Sequence, residues 1–169
     1  MTTRCKLANL SLFAVLALCF SCASPPAPVP QQLHPRSNGE PIRIACVGDS
    51  ITYGAGVEGR ETNSYPAVLG RLLGRSFAVT NFGASGATLL KRGDHPYWNL
   101  PEFTAISGFG PDAVVIKLGT NDSKPQNWQH GAEFEGDLRA MIAHFRQLPS
   151  RPGIWLCLPV PVYETKWGI

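Results

Sequence analysis

Three short polar segments, each of which follows an apolar run, contain residues that could together hydrolyse an ester. Ser50 stands in a Gly-Asp-Ser-Ile-Thr segment, Gly83 ends an Asn-Phe-Gly segment, and Asn121 stands in a Gly-Thr-Asn-Asp segment. In open α/β sheets, the loops at the carboxyl ends of parallel strands form the active site. We therefore predict a serine nucleophile, Ser50, and an oxyanion hole formed by the amides of Ser50 and Gly83 and the side-chain amide of Asn121.

The apolar pattern around these segments indicates alternating strands and helices. Strands are predicted at 42–47, 77–80, 113–118 and 154–158, helices at 64–73 and 132–148, and a long, partly structured loop at 84–110. Such alternation implies right-handed βαβ units and a parallel sheet that is covered on both faces. The expected fold is an α/β three-layer αβα sandwich with a flavodoxin-like sheet.

Two cysteines fall in the predicted domain, at the ends of its first and last strands. In a flavodoxin-like strand order, Cys46 and Cys157 would lie two strand spacings apart, about 9.5 Å. This separation exceeds the roughly 7 Å limit on the Cα distance across a disulfide. Both are therefore predicted to be buried free thiols.

The amino terminus has the pattern of a secretory leader. Arg4 and Lys6 precede an apolar stretch at 10–20, which is shorter than the roughly 20 residues of a membrane span. We predict a signal peptide at 1–22, a Pro-rich tether at 23–41 and a domain at 42–169. Cys22 resembles the lipidated cysteine of bacterial lipoproteins, so plain secretion and lipid anchoring in the cell envelope both remain open.

The remaining charges exclude several classes of partner. Loss of Arg4 and Lys6 with the leader lowers the formal net charge from +3 to +1, and no dense basic run follows. Neither a nucleic-acid surface nor a polybasic membrane patch is therefore expected. His, Cys, Asp and Glu show no metal-ligand spacing, so neither a metal nor another cofactor is expected. A small-molecule or carbohydrate ester is the predicted substrate.

The order and spacing of the three polar segments resemble those of the SGNH hydrolase (GDSL esterase) family. The match extends from Arg43 to the end of the chain and implies that Ser50 is the nucleophile and that Gly83 and Asn121 belong to the oxyanion hole. The stretches 117–128 and 158–161 are similar to bacterial secreted sialate or xylan O-acetylesterases. The resemblance therefore implies an O-acetylesterase that acts on acetylated carbohydrate.

One part of the family pattern is missing. Members carry an Asp-x-x-His block near the carboxyl end, which supplies the general base, whereas none of the four histidines here has an aspartate three residues before it. Those histidines are His34, His95, His130 and His144, and none is assigned as the base. The resemblance thus implies a domain that is truncated after strand four and an esterase with impaired activity.

Several alternatives remain open from the sequence. Tyr97, Trp98 and Trp128 could pack against a sugar ring or could fill the gap between loop and sheet. Asp49 and Asp122 are expected to hydrogen-bond local backbone amides and hold their turns. The chain could also be a noncatalytic carbohydrate-binding remnant. A flavodoxin-like phosphate binder is disfavoured because neither a P-loop lysine nor a Gly-x-Gly-x-x-Gly motif is present.

Overall fold

A four-stranded parallel sheet forms the centre of the structured region. The computed structural model describes Leu33, Arg36 and residues 39–159, and the predicted leader with Cys22 lies outside these residues. Within the described part, the strands are β1 (Ile42–Gly48), β2 (Phe77–Gly83), β3 (Ala113–Lys117) and β4 (Gly153–Leu156). Their order is β2-β1-β3-β4, and all neighbours are parallel. The predicted flavodoxin-like arrangement is confirmed.

Helices connect the strands, and four of the α-helices in the described residues were not predicted from the sequence pattern. Across residues 39–159 the α-helices are α1 (Ser50–Tyr53), α2 (Arg60–Asn63), α3 (Tyr65–Leu73), α4 (Pro101–Phe109), α5 (Pro125–Trp128) and α6 (Phe134–Arg146). Short 3₁₀ helices span Tyr97–Asn99, Asn121–Ser123 and Gly131–Glu133. Helix α4 lies in the stretch that was expected to be a loop. It was not predicted because it has one fully buried residue, Ile106, and no sustained apolar stripe. None of the helices in the described region is long and apolar enough to cross a bilayer.

Helices cover both faces of the sheet, which gives the predicted three layers. Successive residues of a strand point to opposite faces. On β1, Ala45 and Val47 pack into a core that includes residues of α4 and α6, whereas Ile44 and Cys46 pack on the opposite side with residues of α3. The carboxyl ends of β1, β2 and β3 therefore lie side by side at one edge of a rigid sandwich.

The two domain cysteines have different environments. Cys46 is completely buried, and this burial raises the pKa of its thiol to about 11. Cys157, by contrast, is exposed. The prediction of two buried thiols is therefore wrong for Cys157, because this residue directly follows β4, which lies at the edge of the sheet. Both are free thiols, as expected.

Residues of the predicted tether contact the domain. Leu33 packs against the core on the α3 side of the sheet. The Arg36 guanidinium donates hydrogen bonds to both carboxylate oxygens of Asp112, each at 2.9 Å. Asp112 directly precedes β3 and also accepts a hydrogen bond from the backbone N–H of Arg43 at 2.7 Å. The carboxylate thus joins this segment to the starts of two central strands.

Removal of the Arg36 side chain tests this bidentate pair. Burial alone would raise the pKa of Asp112, but the hydrogen bonds and charges of Arg36 and Arg43 outweigh it and hold the pKa below its ordinary value. Because the folded pKa is depressed, the stabilisation is present above the unfolded value and is lost as the pH falls through the folded one. We expect Arg36→Gln to lower the free energy of unfolding by about 1 kcal/mol at neutral pH, and by less near pH 3.

Urea unfolding at the two pH values measures the effect. Arg139→Gln is the matched control, because it removes an exposed pair with Glu135 one helical turn away; such pairs contribute about 0.3–0.5 kcal/mol. An Arg36→Gln effect of equal size at both pH values would contradict the assignment.

Candidate functional site

Ser50 lies at the first position of α1, immediately after β1. Asp49 caps this helix by accepting a hydrogen bond from the Ile51 N–H at 2.9 Å. The Ser50 side chain is half-buried, and its hydroxyl has no hydrogen-bond partner among the residues that the structure describes. The turn therefore presents a fixed but unengaged hydroxyl at the carboxyl end of the central strand.

Two glycines allow α1 to pack directly on the strand ends. Gly48 pairs with Gly83 in the β1–β2 register. A Cβ atom on Gly83 would lie 2.7 Å from the Thr52 carbonyl carbon and 2.8 Å from the Tyr53 Cα, and still closer to the Tyr53 nitrogen. A side chain cannot fit at this distance from helix backbone. The absence of a side chain at Gly83 therefore sets the position of the helix that carries Ser50.

The predicted oxyanion role of Gly83 is not supported by its hydrogen bonding. Its N–H donates to Asn81 Oδ1 at 2.9 Å, so this donor is already engaged. The Asn81 side chain also donates to the Thr52 carbonyl at 2.9 Å. Gly83 thus holds the nucleophile turn by close packing, and the prediction of a donor is corrected for this reason.

A tight turn at 84–87 offers a different backbone donor. The Ala87 N–H donates to the Ala84 carbonyl at 3.2 Å, and Gly86, at the third position, has φ +83. A positive φ at this position is the signature of a type II turn, which favours glycine. The Gly86 N–H has no acceptor within residues 39–159. Our sequence analysis missed Gly86, although an Ala-Ser-Gly-Ala turn after a strand was a usable signal.

Hydrogen bonds connect this turn to both neighbouring segments. The Ala84 N–H donates to the Gly48 carbonyl at 2.9 Å. At the other end of the turn, the Ala87 carbonyl accepts from Asn121 Nδ2 at 3.0 Å. The second N–H of the Asn121 side chain has no acceptor in the described part of the chain. These hydrogen bonds thereby connect the segments that contain Ser50, Gly83 and Asn121 to one another at one edge of the sheet.

Two buried carboxylates stabilise this arrangement. Asp122 accepts hydrogen bonds from the N–H groups of Leu89 and Leu90 at 3.0 and 2.7 Å. These amides belong to the loop after β2, so Asp122 joins two loops in addition to the predicted contact with its own turn. Burial raises the pKa of Asp122, although the two amides oppose this shift, and the nearby charge of Asp49 raises it further. With both of its oxygens engaged, Asp122 has a structural role.

Asp49 is only 1% exposed. Burial raises the pKa of its carboxyl group, and the Ile51 N–H and the positive charge of Lys117 act in the opposite direction. Asp49 Oδ2 and Lys117 Nζ are both buried without a hydrogen-bond partner in the described region. The positive charge of Lys117 therefore partly offsets the cost of burying the Asp49 carboxylate beneath the nucleophile turn.

No described histidine is placed as a general base. His95 is exposed, His130 is partly exposed, and His144 stacks on Phe103 with ring centroids 4.6 Å apart. None of these three forms a hydrogen bond with Ser50, and His34 lies outside the described residues. No group of three His, Cys, Asp or Glu side chains within the described chain could hold a metal ion.

The three aromatic residues considered as sugar contacts differ in exposure. Tyr97 is completely buried, and its hydroxyl donates to the Phe82 carbonyl at 2.6 Å. Trp98 donates from Nε1 to the Leu89 carbonyl at 2.7 Å and lies beneath the Lys91 ammonium. Both residues fill the gap between loop and sheet, so the substrate-binding hypothesis for Trp98 is not supported. Trp128 alone of the three remains mainly exposed, at 54%.

The strand order and the covering helices define a flavodoxin-like α/β protein with a serine at the end of its first strand. The model of the GDSL-like Lipase/Acylhydrolase family matches residues 46–168. The chain therefore belongs to this family, whose members are carboxylic ester hydrolases. The resemblance predicted from the three polar segments is confirmed.

The chain is also similar to a curated relative and to several solved structures. An acetylxylan esterase of Xylanibacter ruminicola is 43% identical over 152 residues, which cover 80% of this chain and 32% of that protein. This chain thus spans about one third of the length of that curated relative. The M. smegmatis aryl esterase is 23% identical with a TM-score of 0.53, and covers 68% of this chain and 62% of its own. A variant of the esterase AlinE4 is 24% identical with a TM-score of 0.50, at 73% and 62% coverage. These two solved structures show the shared fold.

A methyl group at Gly83 tests the packing of the nucleophile turn. We expect Gly83→Ala to displace α1 and to lower the free energy of unfolding by about 1–3 kcal/mol, because the nearest atoms are backbone. Gly136→Ala in α6 is the matched control, because a Cβ atom there meets nothing within 4 Å. The control should be neutral or stabilising by about 0.5–1 kcal/mol. Denaturant unfolding measures both variants, and equal stability of the two would refute the packing role of Gly83.

Proposed function

We propose that this chain is a serine ester hydrolase whose substrate is an acetylated carbohydrate and whose nucleophile is Ser50. The observation that carries this proposal is the 43% identity to an acetylxylan esterase. The unengaged Ser50 hydroxyl at the end of the first strand supports it, because a hydrolytic nucleophile must be free to approach a carbonyl carbon.

The proposed reaction follows from the groups around Ser50. The Ser50 oxygen attacks the ester carbonyl carbon, its proton passes to a base, and the carbonyl oxygen becomes an oxyanion. Three N–H groups without an acceptor in the described residues could receive this charge: those of the Ser50 and Gly86 backbones and the second one of the Asn121 side chain. The sugar alcohol then leaves, and water releases acetate from the acetylated serine.

No described histidine is assigned as the base that accepts the Ser50 proton. Loss of a triad histidine in a serine protease costs on the order of 10⁶ in rate and leaves roughly 10³ to 10⁴ over water. A polypeptide of these residues should therefore become acetylated slowly and should release acetate more slowly still. A second candidate function is noncatalytic carbohydrate binding, which the exposed indole of Trp128 favours.

We also propose that the protein acts in the secretory or envelope space. The charged and apolar pattern of residues 1–22 supports this location, with lipid attachment at Cys22 or plain secretion as the two forms. Mass spectrometry of the amino terminus after bacterial expression distinguishes a lipid-modified Cys22 from an unmodified cleaved end.

Intact-mass spectrometry with p-nitrophenyl acetate tests the nucleophile. The chain should gain a single acetyl group, located on Ser50 by peptide mapping, and Ser50→Ala should gain none at this position. Asn121→Ala should slow acetylation by about 10²- to 10³-fold, because one oxyanion donor is lost. A thermal melt of each variant controls for misfolding. Acetylation that is unaffected by Ser50→Ala would rule out the proposed nucleophile and would favour the noncatalytic candidate.

A further inference from the structure

Trp128 exposes a large apolar surface next to the candidate site. It ends α5, and its exposed fraction of 54% is high for a side chain that usually buries most of its area. A ligand that covered this indole would remove apolar surface from water, which is favourable. The residues that contact Trp128 therefore help to identify the ligand that could cover it.

Gly131 holds the indole by one face. A Cβ atom on Gly131 would lie 2.9, 3.0 and 3.3 Å from Cε2, Cδ2 and Cε3 of Trp128, three atoms of its six-membered ring. The glycine backbone therefore packs against the face of this ring, and a Cβ atom at position 131 would require the indole to shift. The Phe134 ring lies beside the indole, with centroids 6.1 Å apart and planes at 55°. A ligand could therefore stack on the face that Gly131 does not cover.

Helix α5 also carries polar side chains, and two of them are hydrogen-bonded to the loop after β2. Asp94 accepts hydrogen bonds from Asn127 Nδ2 at 3.0 Å and from Gln126 Nε2 at 3.2 Å. The Asn127 side chain in turn accepts from the Asp94 N–H at 2.8 Å. Gln126, Gln129 and Asp94 are exposed, and Lys124 acts on Asp94 with the opposite charge. An exposed indole on a helix with exposed amides and a nearby pair of opposite charges suits an uncharged sugar, whose ring has an apolar face and polar edges.

The indole is connected rigidly to the candidate oxyanion donor. Asn127, the residue before Trp128, donates from Nδ2 to the Asn121 carbonyl at 2.8 Å. Phe134, which lies beside the indole, also packs over Gly119, with Cζ 3.4 Å from a Cβ position there. A sugar on Trp128 would thus be held by the same unit that carries Asn121.

From these contacts we infer that Trp128, supported by Gly131, is a stacking platform for one neutral pyranose ring of a polysaccharide such as xylan. The inference rests on the proposed function for the class of ligand, and it assigns a binding site that the ester chemistry does not require. The platform would hold the sugar chain while an acetylated unit reaches Ser50.

Affinity electrophoresis in soluble, deacetylated xylan tests the platform without hydrolysis. The full chain should be retarded, and Trp128→Ala should weaken the apparent affinity about tenfold or more. Gly131→Ala keeps the indole but displaces it from its present position, so this variant should weaken binding similarly. Leu72→Ala, which removes an apolar side chain that is 79% exposed on α3, and Gly136→Ala are the matched controls and should bind as the parent does.

The outcomes separate this inference from the proposed function. Equal retardation of the parent and Trp128→Ala, with Ser50 still acetylated by p-nitrophenyl acetate, would overturn the platform alone. Xylan binding that requires Trp128, in a chain that is not acetylated, would support the platform and overturn the esterase. If sedimentation shows a dimer that Trp128→Ala dissociates, a second copy covers the indole and the inference is wrong. Far-UV circular dichroism of each variant confirms that it is folded.

Discussion

The pairing of Gly48 with Gly83 is the contact on which the candidate site depends. Two adjacent parallel strands end at the same level, and neither carries a side chain at that level. Helix α1 can therefore lie directly on the strand ends, with its backbone closer to Gly83 than any Cβ atom would permit. Ser50 begins this helix, so its position is set by backbone packing and not by a mobile loop.

The connections beyond this contact pass from one loop to the next. The turn at 84–87 is bonded to Gly48 at its start and to Asn121 at its end. Asp122 adds two further bonds to the same loop, and Asn127 holds the Asn121 carbonyl. Loops fixed in this way lose little additional conformational entropy when a ligand binds, which favours a preorganised site.

Strongly patterned features of the chain could be predicted from the sequence. The β-branched runs before the polar segments predicted the central strands, and the apolar stripe of α6 predicted the long helix. Burial on one or both faces of an element produces a regular spacing of apolar residues that can be read from the sequence. Helix α4 was missed because Pro101 and Gly110 bound a segment with no sustained apolar stripe. The exposure of Cys157 was missed because the predicted strand at 154–158 included this residue, whereas β4 ends at Leu156.

The sequence predicted which segments form the site but not which N–H groups in them are free to act as oxyanion donors. Family resemblance brought Ser50 and Asn121 to attention, whereas the bond from the Gly83 N–H to Asn81, a local Asx-type contact, was a usable signal that the prediction of a donor at Gly83 overlooked. The amide partners of Asp122, by contrast, lie more than thirty positions earlier in the chain and could not be foreseen from residue types. Contacts between distant segments depend on loop conformation, which local sequence patterns determine only weakly.

The contrast between the two domain cysteines has a practical consequence for labelling. Cys46 is sealed inside the sandwich with a thiol that resists ionisation, and Cys157 is open to solvent beside the edge strand. Thiolate formation governs the reaction of cysteine with electrophiles. Within the folded domain, a maleimide dye should therefore modify one position only, which would place a spectroscopic reporter at the margin of the sheet without any engineered residue.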